Sequence, residues 1–258
     1  MTAGPTMAAP SRWKWPLAGF LALLAFCVLV GLGFWQVERL HWKEGLIRQI
    51  DERIHAPPRP LADVEELYRI AGDVDYVPVT ATGTFLHDGE RHFLATWKGE
   101  SGFYVYTPLE LADGRIVFVN RGFVPYGMKD PAKRRLGQVR GTVTITGLAR
   151  NTLPAKPSSL VPDNDPDGNV FYWKDRDGMA RSARLPASVT ILPLFIDADA
   201  SPNPGGLPIG GVTMVEMPNS HLQYAVTWFG LAAALAGVAV MMALRGRNPP
   251  AASGAAEP

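Results

Sequence analysis

Two uncharged apolar runs, Trp15–Val37 and Leu222–Leu244, set the strongest limit on how this chain can fold. At about 1.5 Å per residue, each is long enough as a helix to cross a hydrocarbon layer roughly 30 Å thick. The first run exceeds the roughly 7–15 apolar residues of a secretory signal and is followed by no small-residue cleavage site, so an uncleaved anchor is expected. Arg12 and Lys14 precede the first run, and Arg245 and Arg247 follow the second. Basic residues in short flanks mark the cytoplasmic side, which puts both termini there and the intervening chain on the opposite face. The expected layout is a tail over 1–14, a transmembrane helix over 15–37, an outer domain over 38–220, a second transmembrane helix over 221–244 and a disordered tail over 245–258.

The outer segment changes period along its length. Helix-forming residues continue from the first run to about Ile54, where Pro57-Pro58-Arg59-Pro60 ends the helix. A short amphipathic helix follows over Ala62–Ile70. From there β-branched and aromatic residues dominate Tyr76–Phe85, His92–Trp97, Phe103–Leu109, Ile116–Val124 and Thr142–Ala149, with turn signals between them. Asp113-Gly114 is the strongest hairpin signal. Val170–Trp173 and Thr190–Ile196 are further strand candidates around a helix over Arg176–Leu185, and Leu153–Asn169 reads as loop. The fold class expected is an α+β membrane protein, with two transmembrane helices flanking an antiparallel β-rich sheet or small barrel and short helices.

The second run opens with Pro218-Asn219-Ser220-His221. Asn219 and Ser220 are good N-cap residues, so His221 falls in the first helical turn, at the membrane surface. Helical spacing places His221, Tyr224, Ala225, Trp228 and Ala232 on one face and Gly230, Ala234 and Gly237 on the other. One face can meet a flat ligand and the other a neighbouring helix; equally, Tyr224 and Trp228 can serve as interfacial aromatic anchors. At the exit of the first helix Trp35, Arg39 and Trp42 recur at i, i+4 and i+7, setting an Arg between two indoles on one face, where it either holds an anionic ligand group or simply stacks.

Several chemistries have no carrier here. There is no GxGxxG, P-loop, GxSxG or HExxH motif, and the single cysteine, Cys27, permits neither an internal disulfide nor a thiolate cluster. A net charge of +1 with no basic, aromatic-laced patch gives no reason to expect nucleic acid. His87 and His92 flank the Asp88-Gly89 turn, as a two-ligand site or as a pair of exposed hairpin histidines. Arg121, at the end of a strand, either binds an anion or forms a buried structural ion pair. Met214, Met217 and His221 are soft ligands suited to Cu(I), although Pro218 breaks their helical spacing.

Gly33-Phe34-Trp35-Gln36…Arg39…Trp42-Lys43, Asn120-Arg121-Gly122-Phe123-Val124-Pro125 and Asn219…His221…Tyr224-Ala225…Thr227-Trp228, in this order and with this topology, resemble the Surfeit locus protein 1 family of cytochrome c oxidase assembly factors. The resemblance spans essentially Pro16–Arg245; Phe123 stands where the family often has Trp. It implies a non-enzymatic factor that helps place haem a, held transiently, into oxidase subunit I, with possible contact to haem a synthase. It further implies His221 as ligand to the haem iron, and the chain's own residues fit a haem there, with Tyr224 and Trp228 below the ring, Arg39 near the propionates and Trp35 beside it. A copper-handling protein using Met214, Met217 and His221, or a cofactor-free assembly scaffold, are the alternatives. No mitochondrial presequence is apparent, so the expected location is a bacterial inner membrane with a periplasmic outer domain.

Overall fold

The computed structural model describes residues 14–186, 188–215 and 217–247. Of the expected tails over 1–14 and 245–258, residues 1–13 and 248–258 lie outside the described residues, while Lys14 opens the first helix and 245–247 continue the last one rather than beginning a disordered tail. The chain divides into two compact units, one drawn from 1–48 and 217–258, the other from 49–216.

Helix α1 runs unbroken over Lys14–Ile54, so the helix-forming stretch after Val37 does continue the first apolar run. Its 41 residues amount to about 60 Å. Helix α4 covers His221–Arg247. Both are long and apolar enough to cross a membrane.

In the second unit β1 (Arg59–Pro60) and α2 (Leu61–Ala71) precede six longer strands. These are β2 (Pro78–Phe85), β3 (Arg91–Trp97), β4 (Glu100–Leu111), β5 (Ile116–Pro125), β6 (Thr142–Asn151) and β7 (Ile191–Ala198). Helix α3 (Arg176–Ser182) lies between β6 and β7 in sequence, and Asp175 caps it by accepting from Gly178 N–H at 2.9 Å. The Asp113-Gly114 turn joins β4 to β5 as expected. Val170–Trp173 does not form a strand: it makes only isolated bridges, Asp165 to Val170 and Phe93 to Phe171.

The pairing order β1-β2-β6-β7-β5-β4-β3, with an added β2–β4 pairing, closes β2, β6, β7, β5 and β4 into a ring. The expected small barrel is present, but it is mixed rather than antiparallel. Four of the ring pairings are antiparallel and β5–β7 is parallel. The reason is parity, since alternating strand directions cannot close around an odd number of strands. All five ring strands send residues to one core cluster, including Val79, Leu109, Val117, Ala149 and Ile196, and Leu61 and Val64 of α2 join it. Strand β5 is buried on both faces: Val117 and Val119 face this cluster, whereas Phe118 joins Tyr106, Phe195, Phe171 and Met179 on the other side. The segment around α3 therefore covers the outside of β4, β5 and β7.

Closure depends on Gly83, which pairs with Leu111 where β2 meets β4. A methyl group there would run into the carbonyl oxygen of Glu110, which is backbone and cannot swing away. Gly83→Val is expected to destabilise the barrel by about 1–3 kcal/mol, measured by urea unfolding, because the β2–β4 seam must part to admit the side chain.

Candidate functional site

The two apolar helices are joined through the start of α4. Asn219 accepts a hydrogen bond from the His221 backbone N–H at 3.3 Å, and the Ser220 carbonyl accepts from Tyr224 N–H at 3.2 Å. This capped turn is held against α1 at two places. The imidazole Nδ1 of His221 lies 2.7 Å from Gln36 Oε1, and Lys43 Nζ donates to the Pro218 carbonyl. Gln36 and Lys43 are seven residues apart and so lie on one face of α1.

The Gln36 contact decides the chemistry of the imidazole. A carboxamide oxygen only accepts, so Nδ1 carries a proton in this contact, and the neutral ring that makes it is the Nδ1–H form. Its Nε2 then presents a lone pair. Gln36 is 8% exposed, whereas His221 remains half-exposed. A neutral imidazole with one nitrogen anchored and the other bearing a lone pair is the arrangement in which histidine ligates a metal ion.

The remaining packing reverses the assignment of the α4 faces. The face carrying His221, Ala225 and Ala232 meets α1, with Ala225 and Ala232 buried, while among the described residues nothing lies within 4 Å of where a Cβ would sit on Gly230 or Gly237. Phe229 packs edge-on to Phe34, centroids 5.5 Å apart, and lies over Gly33, where a Cβ would come within 2.6 Å of its ring. The neighbouring helix therefore occupies the side expected to receive a flat ligand, and the open approach to His221 is from its flank. Tyr224, one turn on, is 54% exposed there. Trp228 is half-exposed, and its buried indole N–H has no hydrogen-bond partner among the described residues.

Arg39 stacks on Trp42 at 4.2 Å, so the Arg–indole contact forms with one of the two expected rings. Trp35 and Trp42 are both exposed. Among the described residues no hydrogen bond or stacking contact joins Arg39 or Trp35 to His221. Gln36 was not singled out from the sequence as a site residue. Its signal was a lone carboxamide inside an otherwise uncharged, membrane-length run, where polar side chains usually have a task.

The other candidates resolve differently. His92 is 3% exposed, and its Nε2 lies 3.0 Å from Glu90 Oε1; His87 is half-buried with Nε2 2.7 Å from the Val139 carbonyl. Neither is an exposed hairpin histidine, because the turn between them folds under the 3-10 segment Pro131–Gly137 that carries Arg134. Met214 is exposed. Among the described residues no cluster of three or more His, Cys, Asp or Glu could hold a metal ion.

A membrane-length helix pair tied at one end by a Gln–His hydrogen bond, with a closed mixed β-barrel inserted in sequence between the helices, defines a class of two-helix proteins with a single β domain. The SURF1 family model matches residues 23–233. Surfeit locus protein 1 of Rattus norvegicus is 39% identical over 79% of this chain and 68% of its own length, and that of Homo sapiens is 37% identical over 88% and 78%. The SURF1-like protein of Monosiga brevicollis is 36% identical over 96% of this chain and 95% of its own. The chain belongs to the SURF1 family.

Proposed function

We propose that this protein is a membrane-anchored, non-enzymatic assembly factor for cytochrome c oxidase that holds haem a transiently on its way into subunit I, accepting it from haem a synthase. Helices α1 and α4 span a bacterial inner membrane, both termini are cytoplasmic and the barrel is periplasmic. Because α1 is about twice the length a bilayer needs, its C-terminal half projects into the periplasm.

The observation that carries this reading is the hydrogen bond from His221 Nδ1 to Gln36, which leaves Nε2 as the ligating atom at the lipid boundary. The residues suit a haem. His221 offers a nitrogen ligand, Tyr224 and Trp228 offer aromatic surface beside it, and Trp228 adds a donor with no partner among the described residues. Arg39 and Trp35 are exposed on α1 within one turn of Gln36, where a cation suits propionate groups. The haem supplies the redox-active iron; the protein supplies a ligand, an apolar wall and exclusion of water.

The test is a visible spectrum. Protein purified in detergent from cells that synthesise haem a should show a Soret band, and extraction should return haem a. Preparations from such cells that carry no porphyrin, across several detergents, would remove the reading; copper without porphyrin would replace it by the metal-handling alternative.

A further inference from the structure

Arg121 is 2% exposed, yet among the described residues no carboxylate lies within ion-pair distance of its guanidinium. Its Nη2 donates to the Gly137 carbonyl at 2.5 Å and to Asn203 Oδ1 at 3.0 Å, and the group sits 4.7 Å over the Phe85 ring. Among the described residues Nη1 has no hydrogen-bond partner. The nearby acid, Glu90, is occupied by Arg134 and His92. Burial pushes Arg121 down, but only to about 10, so it stays a cation at neutral pH. One buried positive charge is thus left without a counter-charge, a costly state unless something balances it.

Arg121 lines a cavity of about 300 Å³. Val143, Ile145 and Phe85 supply apolar wall, and Ser201 and Thr144, both exposed, place its mouth at the surface. Asp199 also lines it, but is exposed and accepts from Ser201 N–H, so its charge is screened by solvent. This volume is at the small end of ligand pockets and suits an amino-acid-sized group.

We propose that this cavity is a carboxylate-binding site on the barrel, in which Arg121 pairs with one carboxylate carried on a small, largely apolar body. A planar carboxylate oxygen on Nη1 completes the hydrogen bonding of the guanidinium and cancels its charge, while the rest of the ligand lies against Val143 and Ile145. The carboxylate comes from a short free acid or from the C-terminus of a peptide. The proposal rests on residues of the barrel unit alone and does not depend on the haem reading.

The experiment follows thermal unfolding of the full chain in detergent at constant ionic strength. Propionate represents the free acid, N-acetylglycine the peptide terminus and N-acetylglycinamide the uncharged control. The expected result is a saturable rise in Tm with one or both carboxylates and none with the amide. Half-saturation should be at least tenfold weaker in Arg121→Met and in Ser201→Trp, which blocks the mouth without touching the guanidinium. Should Arg121→Met not fold, Ser201→Trp decides alone. A wild-type Tm that ignores the carboxylates, or a response unchanged in Ser201→Trp, overturns the proposal and leaves Arg121 as a clasp between Gly137 and Asn203. The carboxylate with the lower half-saturation concentration identifies the source.

Discussion

Arg134→Met is expected to lower the unfolding free energy of the barrel unit by about 3–5 kcal/mol, read from urea titration of tryptophan fluorescence. The side chains of Arg134 and Glu90 are 1% and 2% exposed. Both guanidinium Nη atoms bond the carboxylate, Nη1 reaching Oε2 at 3.1 Å and Nη2 pairing with Oε1. Arg134 Nε also donates to the Met128 carbonyl at 3.0 Å, so one side chain pins the 3-10 segment Pro131–Gly137 to the start of β3. Removing it strands a carboxylate in the interior. The double variant Glu90→Leu/Arg134→Met removes both charges and should show a coupling energy of 0.5–3 kcal/mol. Acid sensitivity follows the same pair. Burial pushes Glu90 up, but hydrogen bonds from His92 and Arg134 and the charge of Arg134 outweigh it and hold Glu90 at about 2, against the usual 4.5. Because the folded value lies below the unfolded one, the stabilisation is complete above pH 4.5 and drains away as pH falls towards 2. At 1.36 kcal/mol per pH unit it amounts to about 3 kcal/mol. In Arg134→Met the loss of stability between pH 4.5 and 2 should be much shallower.

The local parts of this fold could be read from the chain because they are encoded locally. Ile116–Val124 was expected as a strand and β5 covers Ile116–Pro125; Thr142–Ala149 was expected and β6 covers Thr142–Asn151. Runs of β-branched residues ending at Asp-Gly or Gly turns carry their own boundaries. Ring closure could not be read in the same way. The seam between Gly83 and Leu111 and the parallel meeting of Phe118 with Phe195 join strands far apart in sequence, and alternation within a strand says nothing about its partner. Burial of polar groups was hidden for a similar reason. His92 sits in a polar stretch beside a turn, and it is Arg134, arriving from beyond β5, and Phe103 of β4 that lie against its ring. The alanines of α4 misled in the opposite sense. Spacing grouped Ala225 and Ala232 with His221, but not which face would take the close approach that α1 makes at Gly33.

His221→Ala is expected to abolish the Soret band that the proposed function requires, whereas Gln36→Leu should keep a band but weaken haem retention by about 10–100-fold. The two effects differ because the residues act at different atoms. Alanine removes the nitrogen that ligates iron, and imidazole added to the buffer should restore part of the band. Leucine leaves that nitrogen in place but takes away the acceptor 2.7 Å from Nδ1, so the ring can rotate and can carry its proton on Nε2, where it blocks ligation. Gln36→Glu makes the complementary test. A carboxylate accepts from Nδ1–H more strongly than a carboxamide, makes Nε2 a stronger donor to ferric iron, and should lower the haem reduction potential. A structural effect of Gln36 alone would reduce yield in both variants and leave the potential where it is. If Gln36→Leu and Gln36→Glu both match wild type in haem retention and potential, the positioning role is gone while the ligand role stands. If His221→Ala keeps the wild-type band, iron is held elsewhere, and the anchored imidazole serves only to fasten α4 to α1.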